Sequence, residues 1–258
     1  EQVESKVDDY FAVTPKYNSK FQVFVPISTG CNKFCTFCIV PFTRGKEVYR
    51  PYDQIYKEVE ALVQKGFKEI TLLGQNVNSW KSAITGDSII PDPKLRKSIK
   101  DFMDFADLME NLAKIEGDFW LRFTSSHPYD INPRLIDVVA HEKNIAKQFH
   151  FALQAGSNGV LKRMNRHYSV QDFREKVELI KSKIPNVGIT TDVIVGFCGE
   201  TDQEFEETLQ LCDELKFDQI FISEYSQRDG TIAAKFYKDD VESNIKSERK
   251  ILLDRVLK

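Results

Sequence analysis

Cys31, Cys35 and Cys38 stand in the run GCNKFCTFC, directly after the strand-like segment FQVFVPIST. This C-x3-C-x2-C spacing offers thiolates to three irons of a four-iron cluster, whereas a cubane normally takes four. Three thiolates leave one iron open, the arrangement expected when that iron must bind a small molecule instead of protein. Structural zinc is the first rival. A closed zinc site wants four ligands, yet the nearest histidine, His127, lies far downstream, and Cys198 and Cys212 are isolated in separate predicted elements. Disulfides fit worse, because five cysteines do not pair up and no secretory context argues for oxidation. Cluster binding, zinc binding and unliganded thiols are, in that order, the readings these residues leave open.

The elements that must position this loop follow from length and patterning. With 258 residues, 41% hydrophobic and 29% charged, the chain can bury a core as one large domain of the kind α/β barrels form. No apolar run is long enough to span a membrane and no signal-peptide pattern opens the chain, so a cytoplasmic protein with reduced thiols is expected. The chain begins at Glu1 without methionine and ends on the helix-like RKILLDRVLK, which suggests a piece of a longer protein. A net charge of −3 gives no global pull toward nucleic acid, so any such binding must rest on a local patch.

Six β-rich runs are predicted as strands, at 21–29, 69–76, 119–125, 148–155, 188–197 and 219–226. Amphipathic helices are predicted near 53–65, 101–116, 132–143, 169–183, 201–215 and 242–257. Thr201 with Glu204 reads as a capping box, and Asn132 before Pro133 as an N-cap with proline in the first turn. Six strand-then-helix units imply a parallel sheet with right-handed crossovers, hence an open or partial (β/α)6 barrel resembling part of a TIM barrel. The loops after strand C-termini build the active site in such barrels. Here those ends read GQN, TSSH, QAGSN, GFCGE and SEYSQRDG, with the cysteine run after the first strand. Polar strand ends are ordinary taken singly; six on one rim point to a cofactor and substrate pocket. Asp192, a carboxylate in an apolar strand, would be costly without a partner, so a ligand or an arginine is expected beside it.

The text GCNKFCTFCIVPFTRGKE, LLGQNVNSW, RFTSSHP, LQAGSNGVLKRMNRHYS, TDVIVGFCGET and YSQRDGT resembles the radical S-adenosylmethionine (SAM) domain of the methylthiotransferases. LLGQNVNSW places the likeness nearest those that modify isopentenyladenosine beside the tRNA anticodon. The resemblance implies that Cys31, Cys35 and Cys38 bind a 4Fe-4S cluster whose open iron chelates SAM, that reductive cleavage yields a 5'-deoxyadenosyl radical, and that the adenine receives a methylthio group. The cofactors carry the difficult chemistry, so no side-chain general acid or base is expected. A sister enzyme acting on threonylcarbamoyladenosine or on a ribosomal protein, and a cluster-holding module without radical chemistry, are the alternatives.

The resemblance also suggests cofactor contacts. Phe37 would pack near the cluster and adenine, or merely plug the barrel mouth. Gly74, Gln75 and Asn76 stand where relatives hold the methionyl amino group, and Ser125, Asp192 and Gly196 belong to the same expected set. Gln154 and Ser157 suit the ribose or carboxylate, unless their segment is an ordinary turn with Ser157 as a helix cap. Arg166 could pair with the methionyl carboxylate or lie on a solvated helix face. Arg44, Lys46, Arg50, Lys162 and Arg163, among the aromatics Phe42, Tyr49 and Tyr168, would meet RNA phosphates; a charge-balanced surface gives similar pieces.

Departures from the family pattern are equally informative. Residues 1–20 read as a linker from an absent N-terminal domain that would carry a second 4Fe-4S cluster, 21–240 as the barrel, and 241–258 as a helix leading to an absent tRNA-binding domain. Cys198 replaces the proline of GFPGE, and Cys212 reads as core. The expected partners are tRNA and an electron donor such as flavodoxin or ferredoxin, for a monomer that alone would cleave SAM without completing methylthiolation. The Pro-, Asp- and Lys-rich stretch at 81–102 is read as a surface excursion, conceivably a lid.

Overall fold

Short runs rich in β-branched and aromatic residues form strands at all six expected places, and a helix follows each. A computed structural model describes Phe11 and residues 15–83 and 102–256. In chain order the main elements are β1 (Gln22–Pro26), α1 (Tyr52–Gln64), β2 (Glu69–Leu73), α2 (Phe105–Ala113), β3 (Trp120–Phe123), α3 (Pro133–His141), β4 (Gln148–His150), α4 (Val170–Lys183), β5 (Gly188–Val195), α5 (Asp202–Leu215), β6 (Gln219–Glu224) and α6 (Ser243–Arg255). The α/β class and the parallel strand-helix alternation hold, and, as expected of an open arrangement, no closed barrel forms among the described residues: hydrogen bonding joins the six strands three and three. Among the described residues no helix is long and apolar enough to cross a membrane.

The chain divides into two compact units, the first formed by residues 1–30, 46–125 and 132–146. Its sheet runs β1-β2-β3, all parallel, with Val23, Ile70 and Leu121 in one row and Val25, Leu72 and Phe123 in the next. These six are buried, and burial of each such side chain is worth about 1.5–3 kcal/mol. Helix α1 buries Ile55, Val59 and Leu62 on the i, i+4, i+7 stripe of an amphipathic helix. The run expected as one strand over 21–29 ends at Pro26; Ser28–Thr29 pairs antiparallel with Val48–Tyr49 instead. Likewise α2 starts later than expected, at Phe105, because Asp104 and Asp107 close a capping box there. The ends of the expected excursion pair as two short antiparallel strands, Lys81–Ala83 and Phe102–Asp104. Its interior, and with it the lid reading, lies outside the described residues, as does most of the 1–20 segment.

The second unit contains residues 31–45, 126–131 and 147–258. Its sheet runs β6-β5-β4, again parallel, and its core includes Phe151 stacked on Phe173 at 4.5 Å. Strand β4 is shorter than the expected 148–155: the ladder stops at His150, and only isolated bridges at Phe151 and Gln154 continue it. Thr201 caps α5 by accepting from the Glu204 N–H while the Glu204 carboxylate accepts from the Thr201 N–H, the capping box expected from sequence. Helix α6 is fastened by charge. Buried Arg249 donates to the Glu200 carboxylate at 2.8 Å and to Asp202 at 2.7 Å, and Lys246 donates to Asp239 at 2.6 Å and to the Tyr225 carbonyl at 3.1 Å.

A buried ion pair broken on one side strands its partner charge and costs about 3–5 kcal/mol, whereas a lost cap costs about 1 kcal/mol. Arg249→Met should therefore destabilise the protein several times more than Thr201→Ala in urea unfolding. Equal losses would show that the Arg249–Glu200 pair does not hold α6.

Candidate functional site

The cysteine loop belongs to the second unit and is laced to the segment after β4. Thr36 donates its N–H to the Met164 carbonyl at 3.1 Å and its hydroxyl to the Arg163 carbonyl at 2.9 Å, and Asn165 Nδ2 donates to the Phe34 carbonyl at 3.0 Å. The loop turns sharply enough to place Phe34 at φ +50, and the Cys38 N–H donates to the Cys35 carbonyl at 3.0 Å. Cys31, Cys35 and Cys38 are thiols outside any disulfide; Cys35 is buried and the other two half-buried. Burial is the largest influence on the Cys38 thiol and pushes its pKa up, a preference that metal coordination would override by deprotonating the sulfur.

Arg166 sits against this loop and not on a solvated face. It is buried, donating Nη1 to Cys35 Sγ at 3.2 Å, Nε to the Tyr168 hydroxyl at 2.9 Å and Nη2 to the Ala152 carbonyl at 3.0 Å. Among the described residues no three His, Cys, Asp or Glu side chains form a group that could hold a metal ion. A cubane asks for something different, one thiolate on each of several irons, and three cysteines in one loop, none in a disulfide, match that donor set.

The other expected residues of this unit fall into place variously. Phe37 is half-buried, its ring edge-on to Phe197 at 6.4 Å. Gln154 is buried at φ +71, exchanging backbone hydrogen bonds with Asp192 and Ile194 on β5. Ser157 stands at the N-cap of the short helix Asn158–Arg163, but its hydroxyl makes no cap bond. Gly196 has φ +70, and a Cβ there would lie 2.3 Å from the Lys246 side chain, so close packing already accounts for the glycine. The partner that Asp192 needs is supplied within the sheet by His150, whose Nε2 lies 2.8 Å from Oδ2. Register hid that partner from sequence reasoning, since His150 is 42 positions away.

In the first unit, Gly74 packs so closely on Ser28 that a Cβ would lie 2.2 Å from its hydroxyl. Gln75 Oε1 is buried without a hydrogen-bond partner among the described residues, and Asn76 is buried beside it in sequence. An orphaned buried acceptor fits a donor that the described residues do not supply. Ser125 adopts φ +64.

The basic residues separate into two sets. Arg50 is committed to Glu58 and the Pro26 carbonyl, and Arg163 to Glu204 and the carbonyls of Cys198 and Gly199. Arg44, Lys46 and Lys162 are exposed.

Residues 25–212 match the model of the radical SAM superfamily. The chain belongs to the radical SAM superfamily. It is 42% identical over 240 residues to tRNA-2-methylthio-N(6)-dimethylallyladenosine synthase of Treponema denticola, a match covering 93% of this chain and 51% of that protein. With the synthase of the same name from Staphylococcus haemolyticus it is 45% identical over 250 residues, covering 96% of this chain and 45% of that one. The chain thus spans about half the length of the curated relatives it matches. Among solved structures it resembles coproporphyrinogen III oxidase from Escherichia coli, described as a radical SAM enzyme (TM-score 0.58, 18% identity, 93% of this chain and 52% of that chain). Methylornithine synthase is similar too (TM-score 0.58, 14% identity, 100% and 68%). At these identities the structures speak for the fold alone.

For this radical SAM chain, sequence reasoning passed over His127, noted only as too distant for zinc, although RFTSSHP marks it. It is buried, and its Nδ1 accepts from the Tyr129 N–H at 3.2 Å. Burial, reinforced by Arg166 and Lys33, pushes its pKa down to about 2. Cys212 is core as expected, its thiol pushed up to about 12 by desolvation. Because the folded state keeps His127 neutral while the unfolded chain protonates it below about 6.5, acid favours unfolding and stability falls as pH drops through that value. His127→Asn keeps an acceptor for Tyr129 and removes the titration. The stability lost between pH 7.5 and 5.5 should then shrink by about 1.4 kcal/mol in urea unfolding; an unchanged difference would refute the neutral buried imidazole.

Proposed function

We propose that this chain is the SAM-cleaving part of a tRNA methylthiotransferase that modifies N6-isopentenyladenosine (dimethylallyladenosine). The observation that carries this reading is 40–45% identity, over more than nine-tenths of the chain, to synthases named for that modification. Three cysteines in one loop, none in a disulfide, are the donor set such chemistry requires. Cys31, Cys35 and Cys38 would hold a 4Fe-4S cluster, which when bound supplies the electron for reductive cleavage of SAM.

The remaining work falls to the chain's own residues. The Arg166 guanidinium stabilises negative charge at Cys35 through its hydrogen bond. Gln75 Oε1 offers an acceptor to the methionyl ammonium, with Gly74 and Asn76 beside it, and Gln154, Ser157 and Ser125 offer polar groups to the ribose and carboxylate. Phe37 and Gly196 would bound the adenosyl group. Arg44, Lys46 and Lys162, being exposed, are better placed for RNA phosphates than Arg50 and Arg163, which are already ion-paired. The same reading makes tRNA the partner, a flavodoxin or ferredoxin the electron source, and the cytoplasm the compartment.

Anaerobic reconstitution with iron and sulfide, followed by dithionite and SAM, should yield 5'-deoxyadenosine, and Cys35→Ala should abolish it. Formation of that product by the alanine variant would overturn the assignment of the cysteine loop.

A further inference from the structure

The two faces of the β6-β5-β4 sheet differ in chemistry. One buries Phe149, Ile189, Thr191, Val193, Val195 and Ile220. The other carries His150 in register with Thr190, and Asp192 in register with Phe221. On that second face Phe221 remains 46% exposed, and the Asp192 side chain 38%. A single exposed phenylalanine is ordinary; this one stands in the row of a carboxylate that the sheet holds still.

The holding can be traced atom by atom. A carboxylate only accepts, so the 2.8 Å contact between His150 Nε2 and Asp192 Oδ2 is an Nε2–H donated to the carboxylate. Nδ1 is hydrogen-bonded to the Thr190 hydroxyl across 3.0 Å. The imidazole is thereby saturated, and its ring lies 5.8 Å from that of Phe221, edge to face. Asp192 uses one of roughly four acceptor positions on His150, leaving an oriented anionic acceptor beside an open aromatic face.

We propose that this face of the sheet recognises the target base, an N6-substituted adenine, with Phe221 stacking on the ring and Asp192 accepting from the N6–H. His150 is a positioning residue that aims the carboxylate. The inference rests on the proposed tRNA substrate, and it assigns Asp192 to the base and not to SAM. A planar heterocycle with an N–H at its edge matches a stacking surface next to a fixed acceptor, whereas an anionic carboxylate or phosphate would be repelled by Asp192.

The test is binding of an anticodon stem-loop RNA carrying N6-isopentenyladenosine, compared with the same RNA abasic at that position, to the reconstituted protein. Asp192→Asn and Phe221→Ala should each weaken binding of the modified RNA roughly tenfold or more while leaving the abasic RNA bound as before. Phe221→Leu, a milder change at an exposed position, should fall between wild type and Phe221→Ala, and thermal melting checks that each variant is folded. Equal affinity of wild type and both variants for the modified RNA would overturn the inference, as would an equal loss on the abasic RNA. If wild type itself fails to distinguish the two RNAs, the substrate reading falls and this inference with it.

Discussion

A buried cation needs acceptors on every side that water has left, and in this protein that requirement ties the cysteine loop to the body of the second unit. Arg166 satisfies its guanidinium with Cys35 sulfur, the Tyr168 hydroxyl and the Ala152 carbonyl. The Tyr168 hydroxyl in turn donates to the carbonyl side of the same segment, with oxygens of Ala152 and Leu153 within 3.1 and 2.7 Å. Removing any one acceptor would strand a charge in low dielectric. The loop's conformation, the exit from β4 and the orientation of Cys35 are therefore one problem with one solution. Thr36 and Asn165 add backbone-directed bonds that hold the same two segments together.

Burial costs recur as the organising force elsewhere. Glu200 shows the competition directly: burial raises its pKa, while the Gly196 N–H and the Arg249 guanidinium pull it down. The strand-to-helix turn after β5, the start of α5 and the packing of α6 meet at this one carboxylate. Gly196 serves the same junction, since its positive φ and the Lys246 side chain against it leave no room for a Cβ. A residue expected to touch cofactor is thus already explained by folding requirements, which shows why motif glycines and binding glycines are hard to tell apart.

Parallel strands read as near-continuous apolar runs when both faces are covered, yet β5 alternates. Buried Ile189, Thr191, Val193 and Val195 interleave with Thr190, Asp192 and Ile194, of which the last two are only half-buried. That period of two is the imprint of a sheet with one packed face and one partly open face.

What the sequence determined by itself was local. Hydrophobic period placed six strands and six helices, Thr201 with Glu204 and Asn132 with Pro133 marked helix starts, and the spacing of Cys31, Cys35 and Cys38 pointed to cluster chemistry, because each signal depends on residues a few positions apart. Tertiary structure alone decided which distant groups meet. It gave Asp192 a histidine partner, buried Arg166 against Cys35, and spent Arg50 and Arg163 on Glu58 and Glu204. Strand register and helix packing set those pairings, and neither leaves a mark in the neighbouring residues, since a one-residue slip changes every cross-strand partner.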